Sequence, residues 1–182
     1  MNTFNPLDLL ISELYSVDGK AEIVDGRIVA MSPTGSRPSR TSGLIFASLL
    51  EVEETANGRA YPDNAAYMVD LPCRKSFSPD ASFFTGPDSG MKFLEGAPDF
   101  AVEVRSENDY GPAAERKIAA KRADYFAAGT KVVWDVDLLS DEVIRSYCSQ
   151  SPDSPQIFRR GEVARAESAV PGWIVSVDSI LR

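Results

Sequence analysis

Ser78-Pro79-Asp80 and, further along, Phe100-Ala101-Val102-Glu103-Val104-Arg105 are the stretches on which the reading of this sequence turns. The first lies in a run, Phe77 to Phe84, that reads as a strand. The second lies within Asp99 to Arg105, and its interior, Phe100 to Val104, is apolar on both phases except for one carboxylate. A charge among Ala101, Val102 and Val104 is costly unless something pairs with it, so Glu103 asks for a partner. If 77–84 and 99–105 are neighbouring strands, Asp80 and Glu103 stand side by side and both reach one divalent cation. Paired carboxylates form a hard oxygen site of the kind Mg²⁺ takes, with water and substrate phosphate completing the shell. Pro98-Asp99 is a rival Pro-Asp, but four strand steps span about 13 Å, too far for one ion. Taken singly, these residues have plainer uses. Asp80 suits a turn, Glu103 could pair with Arg105 or Arg74, and Lys117 and Lys121 suit a solvated helix face with Glu115 and Asp124.

Working outward, Pro6 to Tyr15 reads as a short helix with Leu7, Leu10, Ile11 and Leu14 on one face. Ala21 to Met31 reads as two strands around Asp25-Gly26, a strong hairpin signal. A polar loop is expected through Ser39, then a helix from Thr41 to Ala56 carrying Leu44, Ile45, Leu49 and Val52, stopped at Asn57-Gly58. Strands follow at Ala65 to Leu71 and at the two runs quoted above. A second long helix is predicted from Pro112, suited to a first turn, to Gly129, suited to a C-terminal cap. Lys131 to Val136 and Glu142 to Cys148 read as a hairpin. Ser151 to Pro155 reads as a loop, and Trp173 to Leu181 closes the pattern. The expected fold class is mixed α/β (α+β), one domain over 1–182, with a mixed sheet flanked by helices.

Composition narrows the chemistry. The 182 residues include no histidine, which removes Ser-His-Asp and Cys-His triads, HExxH proteases and His-ligated zinc. Cys73 and Cys148 lack the spacing of a metal ribbon and read as ordinary buried or half-buried thiols. No apolar run has membrane-spanning length and the first residues do not read as a signal peptide, so the expectation is a cytoplasmic protein with no membrane partner. With 27 acidic and 19 basic residues the net charge is −8, which argues against avid nonspecific binding to nucleic acid. It leaves room for a local basic groove.

A longer succession is similar to the Uma family, a bacterial group with the restriction-endonuclease-like fold. It comprises Glu22…Asp25-Gly26, Met31-Ser32-Pro33-Thr34-Gly35, Pro79-Asp80 and Ala97-Pro98-Asp99…Val102-Glu103-Val104. It continues through Lys121…Tyr125…Ala128-Gly129, Val133-Trp134-Asp135-Val136 and Pro171-Gly172-Trp173. The resemblance implies a PD-(D/E)xK nuclease core and Mg²⁺-dependent (or Mn²⁺-dependent) cleavage of phosphodiester bonds. Asp80 and Glu103 would be the metal ligands and, with Lys121, the catalytic residues. The position two after the glutamate, where the simple pattern has lysine, holds Arg105; a related arrangement takes the lysine from the next helix. The helical wheel alone does not choose between Lys121 and Arg122, and Lys117 points further toward solvent; the Lys-xxx-Tyr spacing of the family selects Lys121. Arg105 is the substitute should Lys121 turn outward. Family members also tend to carry a histidine in the loop that here reads Ser36-Arg37-Pro38-Ser39-Arg40.

Two functions remain open on this reading: a metal-dependent endonuclease acting on DNA, or a nucleic-acid-binding or assembly protein that retains the fold without strong activity. A homodimer is expected. Two copies would set Arg37, Arg40 and Arg74 twice along one groove, and Val132, Trp134, Val143 and Ile144 are more apolar material than an edge hairpin usually exposes.

Overall fold

The computed structural model describes residues 5–182. Helix α1 (Pro6–Tyr15) starts where the Asn5 side chain accepts from the Leu7 amide at 3.2 Å, and Leu14 on it is buried. The hairpin β1 (Ala21–Val24) and β2 (Arg27–Ala30) turns at Asp25 and Gly26, both at positive φ, as a tight two-residue turn requires. Helix α2 (Ser36–Leu50) begins five residues before the expected Thr41 and ends before the expected Ala56. Pro38 is no obstacle, because first-turn amides have no intrahelical partner.

Strands β3 (Arg59–Pro62), β4 (Tyr67–Met68), β5 (Ser76–Phe77), β6 (Ala81–Phe84), β7 (Leu94–Glu95) and β8 (Phe100–Val104) follow. The expected 65–71 strand shrinks to β4. The expected 77–84 strand divides at Ser78-Pro79-Asp80, because Pro79 has no N–H for a ladder. That break hands the chain from a small sheet, β5-β4-β7, to a six-stranded one.

After α3 (Pro112–Ala127) come β9 (Val132–Val136), β10 (Ile144–Cys148), β11 (Ser151–Phe158), β12 (Val163–Arg165), β13 (Ile174–Ser176) and a 3-10 helix, Val177–Leu181. Gly129 at φ 108° turns the chain out of α3, as a C-terminal glycine should. The expected loop at 151–155 is instead part of β11, paired antiparallel to β10 with a register shift between Ser146 and Cys148. It is an edge strand, where Pro152 and Pro155 cost no ladder bonds on the open side.

The large sheet is ordered β11-β10-β9-β8-β6-β3. The two deciding strands pair antiparallel, Ala81 opposite Val102 and Phe83 opposite Phe100, while β8 and β9 run parallel. Successive side chains on β8 go to opposite faces. Phe100, Val102 and Val104 pack toward α2 with Ile45, Leu49, Trp134 and Trp173. Ala101 faces α3 with Tyr67, Phe77, Tyr125 and Val133, and Glu103 shares its phase. Val132, Trp134, Val143 and Ile144 are at most 2% exposed and fill the protomer's own core. They supply no apolar dimer surface, contrary to expectation. Cys73 is exposed rather than buried, with its carbonyl accepting from Asp25.

Candidate active site

Pro79 stops the small sheet and the next residue is drawn into the large one. The Asp80 amide donates to the Val102 carbonyl at 3.0 Å, and Asp80 Oδ2 accepts from the Val104 amide at 2.7 Å. The Asp80 side chain is therefore fixed at the carboxyl end of β8, and its other oxygen accepts from Lys20 Nζ at 2.6 Å. Glu103 leaves β8 on the α3 face. Tyr125 Oη donates to Glu103 Oε1 at 2.7 Å, and Lys121 Nζ lies 2.8 Å from Oε1 and 2.9 Å from Oε2. Lys121 thus turns inward, and its Nζ also sits 2.9 Å from Glu22 Oε1. Tyr125 is stacked on Phe77 with centroids 4.0 Å apart, which fixes where its hydroxyl points.

Glu22 is 3% exposed. It reaches the site because β1 is laced to β5, with the Ile23 amide donating to Ser76 Oγ and the Lys75 amide to the Ile23 carbonyl. Its carboxylate accepts from the Ser78 amide at 2.8 Å and from Arg74 Nη1 at 2.5 Å; Arg74 Nε then donates to Asp124 at 2.8 Å. Arg74, expected in an exposed phosphate groove, is instead 7% exposed and locked between β1 and α3. It has no free face for a phosphate.

These contacts set the charge states. Burial works against the Lys121 ammonium, yet Glu103 and Glu22 hold its pKa above the ordinary lysine value. The same balance, with Asp80 and then Glu103 opposing desolvation, raises that of Lys20. Burial lifts Glu103 above the usual carboxylate range, with Asp80 and Glu22 adding to the rise and the lysines opposing it. Burial also presses on Glu22, but Lys121 and Arg74 outweigh it and lower its pKa. The Tyr125 hydroxyl stays protonated, raised by burial and by the Glu103 and Glu22 charges.

The other candidates lie apart. Arg105 is committed to Asp135 through bonds of 2.7 Å from Nε and Nη2, and to Glu115, and its side chain is 5% exposed. It ties β8 to β9 and α3. Lys117 is exposed. Asp99 accepts from Thr85 and pairs with Lys131 at 2.7 Å, at the opposite end of β8. Three residues at the site were not singled out from sequence as site residues. Glu22 carried the same signal as Glu103, a carboxylate inside the apolar run Ala21-Ile23-Val24. Tyr125 stood one turn from Lys121. Lys20 gave no local signal, since its partner is 60 positions away.

Among the described residues no group of three or more Asp, Glu, His or Cys forms a ready-made metal cage. The donor set still fits a hard cation. Asp80 and Glu103 offer oxygen alone, and a small divalent ion commonly takes one or two carboxylates and completes its shell with water and phosphate. Each already has an ammonium against it, Lys20 and Lys121, so the pair as built calls for positive charge.

The family model for Uma2, described as "Putative restriction endonuclease", matches residues 10–178. Among solved structures, the chain is similar to a "putative nuclease belonging to DUF820" from Anabaena variabilis. The TM-score is 0.72 at 16% identity, with 94% of this chain and 97% of that chain covered. No curated protein matches.

Proposed function

The chain belongs to the Uma2 family, and from that premise we propose that it is a divalent-metal-dependent endonuclease acting on DNA through Asp80, Glu103 and Lys121. The observation that carries this reading is the convergence at the carboxyl end of β8 of Asp80, just before β6, Glu103 on β8 and Lys121 on α3, with Asp80 Oδ2 accepting from the Val104 amide and Lys121 Nζ 2.8 Å from Glu103. Asp80 and Glu103 would hold the ion. A bound Mg²⁺ or Mn²⁺ supplies a lowered water pKa and positive charge beside the phosphate. Lys121 is held protonated by Glu103 and Glu22, so its part is that of a donor, not a base. It would orient the attacking water or stabilise charge developing on the phosphoryl oxygens. Tyr125 fixes the Glu103 carboxylate through its hydroxyl, and Glu22 with Arg74 fixes Lys121 from the other side. Arg105 holds the two central strands together and has no direct chemical role.

A second reading is a nucleic-acid-binding or assembly protein with little activity. It is favoured by the charge of −8 and by the stretch Ser36–Arg40, which lacks the histidine that family members tend to carry. Supercoiled plasmid incubated with purified protein, with and without Mg²⁺ or Mn²⁺, separates the two. Nicking that needs metal and vanishes in Asp80→Ala is the expected result. Nicking that persists in Asp80→Ala comes from a contaminant, and no nicking with either metal selects the binding protein. A homodimer remains part of the proposal on electrostatic grounds alone: two sites would serve two strands, and pairing doubles the phosphate contacts of an acidic chain. Light scattering should give a mass near twice the protomer's 19.8 kDa, and a mass near 19.8 kDa removes the dimer.

A further inference from the structure

The basic residues of this acidic chain are not evenly spread. Four of its 19 lysines and arginines, Arg37, Arg40, Arg160 and Arg182, line one cavity of about 240 Å³ at the head of α2. A second recess of about 540 Å³ adjoins it, sharing Ser36 and Arg40. The arginines come from three separate segments: α2, the turn after β11, and the residue following the 3-10 helix. No acidic side chain lines either recess. Asp178 lies 4.0 Å from Arg160, and Arg40 Nε donates to the main-chain oxygen of Arg182 at 2.8 Å. The first turn of α2 carries no acidic residue and no side-chain cap, so its positive end adds to the same field.

Position makes the cluster more than a solvated basic patch. Leu138, just beyond the end of β9, is part of the lining, so the cavity lies at the carboxyl ends of β8 and β9. Asp80 and Glu103 stand at that same end, because β8 and β9 are parallel and β6 enters antiparallel beside Val102. The two sites therefore occupy one end of the sheet, the acidic one on its α3 face and the basic one on its α2 face. A polyanion crossing the strand ends would touch both, and an acidic site needs help from elsewhere to hold one.

We infer that the arginine-lined cavity at the head of α2 is a phosphate-binding site that grips the backbone of a nucleic-acid duplex whose scissile bond lies at Asp80 and Glu103; the inference rests on the nuclease reading for its ligand class. Arg37 and Arg160 are the side chains to remove. Both are exposed, Arg160 at 62%, so the double variant Arg37→Ala/Arg160→Ala should melt like the wild type. Binding of a short fluorescein-labelled duplex is followed by anisotropy in EDTA, where nothing is cut, from about 50 to 200 mM salt. Each lost phosphate contact should reduce the slope of log affinity against log salt by about 0.9. The double variant should therefore lose close to 2 in slope and roughly 10- to 100-fold in affinity near 0.1 M salt. Arg27→Ala, an exposed residue at the turn into β2, should change neither. An unchanged slope in the double variant, an equal loss in Arg27→Ala, or no duplex binding by the wild type overturns the inference. Cleavage distinguishes the two claims. Metal-dependent nicking with unchanged affinity in the double variant defeats this site alone, whereas arginine-dependent binding without nicking defeats the nuclease reading alone.

Discussion

Lys20 is the residue whose removal says most about the site. Its ammonium lies 2.6 Å from Asp80 and 2.7 Å from Asp63, and its side chain is 13% exposed. A cation held that close to a carboxylate proposed to hold a metal would compete with the metal by charge and by occupying the oxygen that the metal would use. Lys20→Met should tighten Mn²⁺ binding several-fold in a calorimetric titration; equal binding would mean that Lys20 does not compete with the ion, and weaker binding that it helps to hold it. Glu103 shows how far residue-level reading reaches. A lone carboxylate in an apolar strand announced a buried partner, and the partner is Lys121 on α3 together with Tyr125, not Arg105 or Arg74. Composition and spacing alone left Lys121 and Arg122 equal. Tertiary packing separates them, since Lys121 turns to Glu22 and Glu103 while Arg122 lies over the Tyr147 ring at 3.7 Å.

At the scale of elements, α3 is attached to the sheet more by charge than by grease. Tyr125 is its one buried side chain, and the Arg105–Glu115 and Arg74–Asp124 pairs join it to β8 and to the segment before β5. The Arg105 hydrogen bond holds the Glu115 pKa below the usual glutamate value. A depressed carboxylate pKa stabilises the fold above the unfolded value, near 4.3, and that stability is lost as pH falls through the folded value. Glu115 is 52% exposed, so solvent screening limits the pair to about 1 kcal/mol or less, a few degrees in melting temperature. Glu115→Gln should therefore melt a few degrees lower than the wild type at pH 7, with the gap closing below about pH 4. A gap constant with pH would assign the loss to packing. Elements were legible where local chemistry decides, as at the Asp25-Gly26 turn and at Pro112 and Gly129 bounding α3. They were misread where a partner decides. Pro152 and Pro155 suggested a loop, but an open edge tolerates both, and β10 recruits the segment as β11. The first turn of α2 carries no apolar spacing, because Ser36 to Arg40 is polar apart from Pro38, so it reads as loop until its place in the helix is seen.

At the scale of the whole molecule, the sheet sorts the chain into two faces, and the alternation on β8 decides which chemistry each receives. Val102 and Val104 go to the α2 core, while Glu103 goes to the cleft under α3. The mixed α/β class was open to sequence reasoning because it follows from strands framing two long helices. The small sheet was not, since β4, β5 and β7 are two residues each and take their pairing from tertiary contacts. The placing of Asp80 beside β8 was open to sequence reasoning with 77–84 and 99–105 as neighbours, and β6 does pair with β8. The supporting ring of Lys20, Glu22 and Arg74 was not, because it is assembled from residues more than 50 positions apart. The central claim is that Asp80 and Glu103 share one cation. The most direct measurement is anomalous diffraction from crystals soaked in Mn²⁺. The expected result is a single strong peak with one oxygen of Asp80 and one of Glu103 each within roughly 2.0–2.3 Å, absent from Asp80→Ala crystals treated alike. A peak bound to other residues, or none between these two carboxylates, would contradict it.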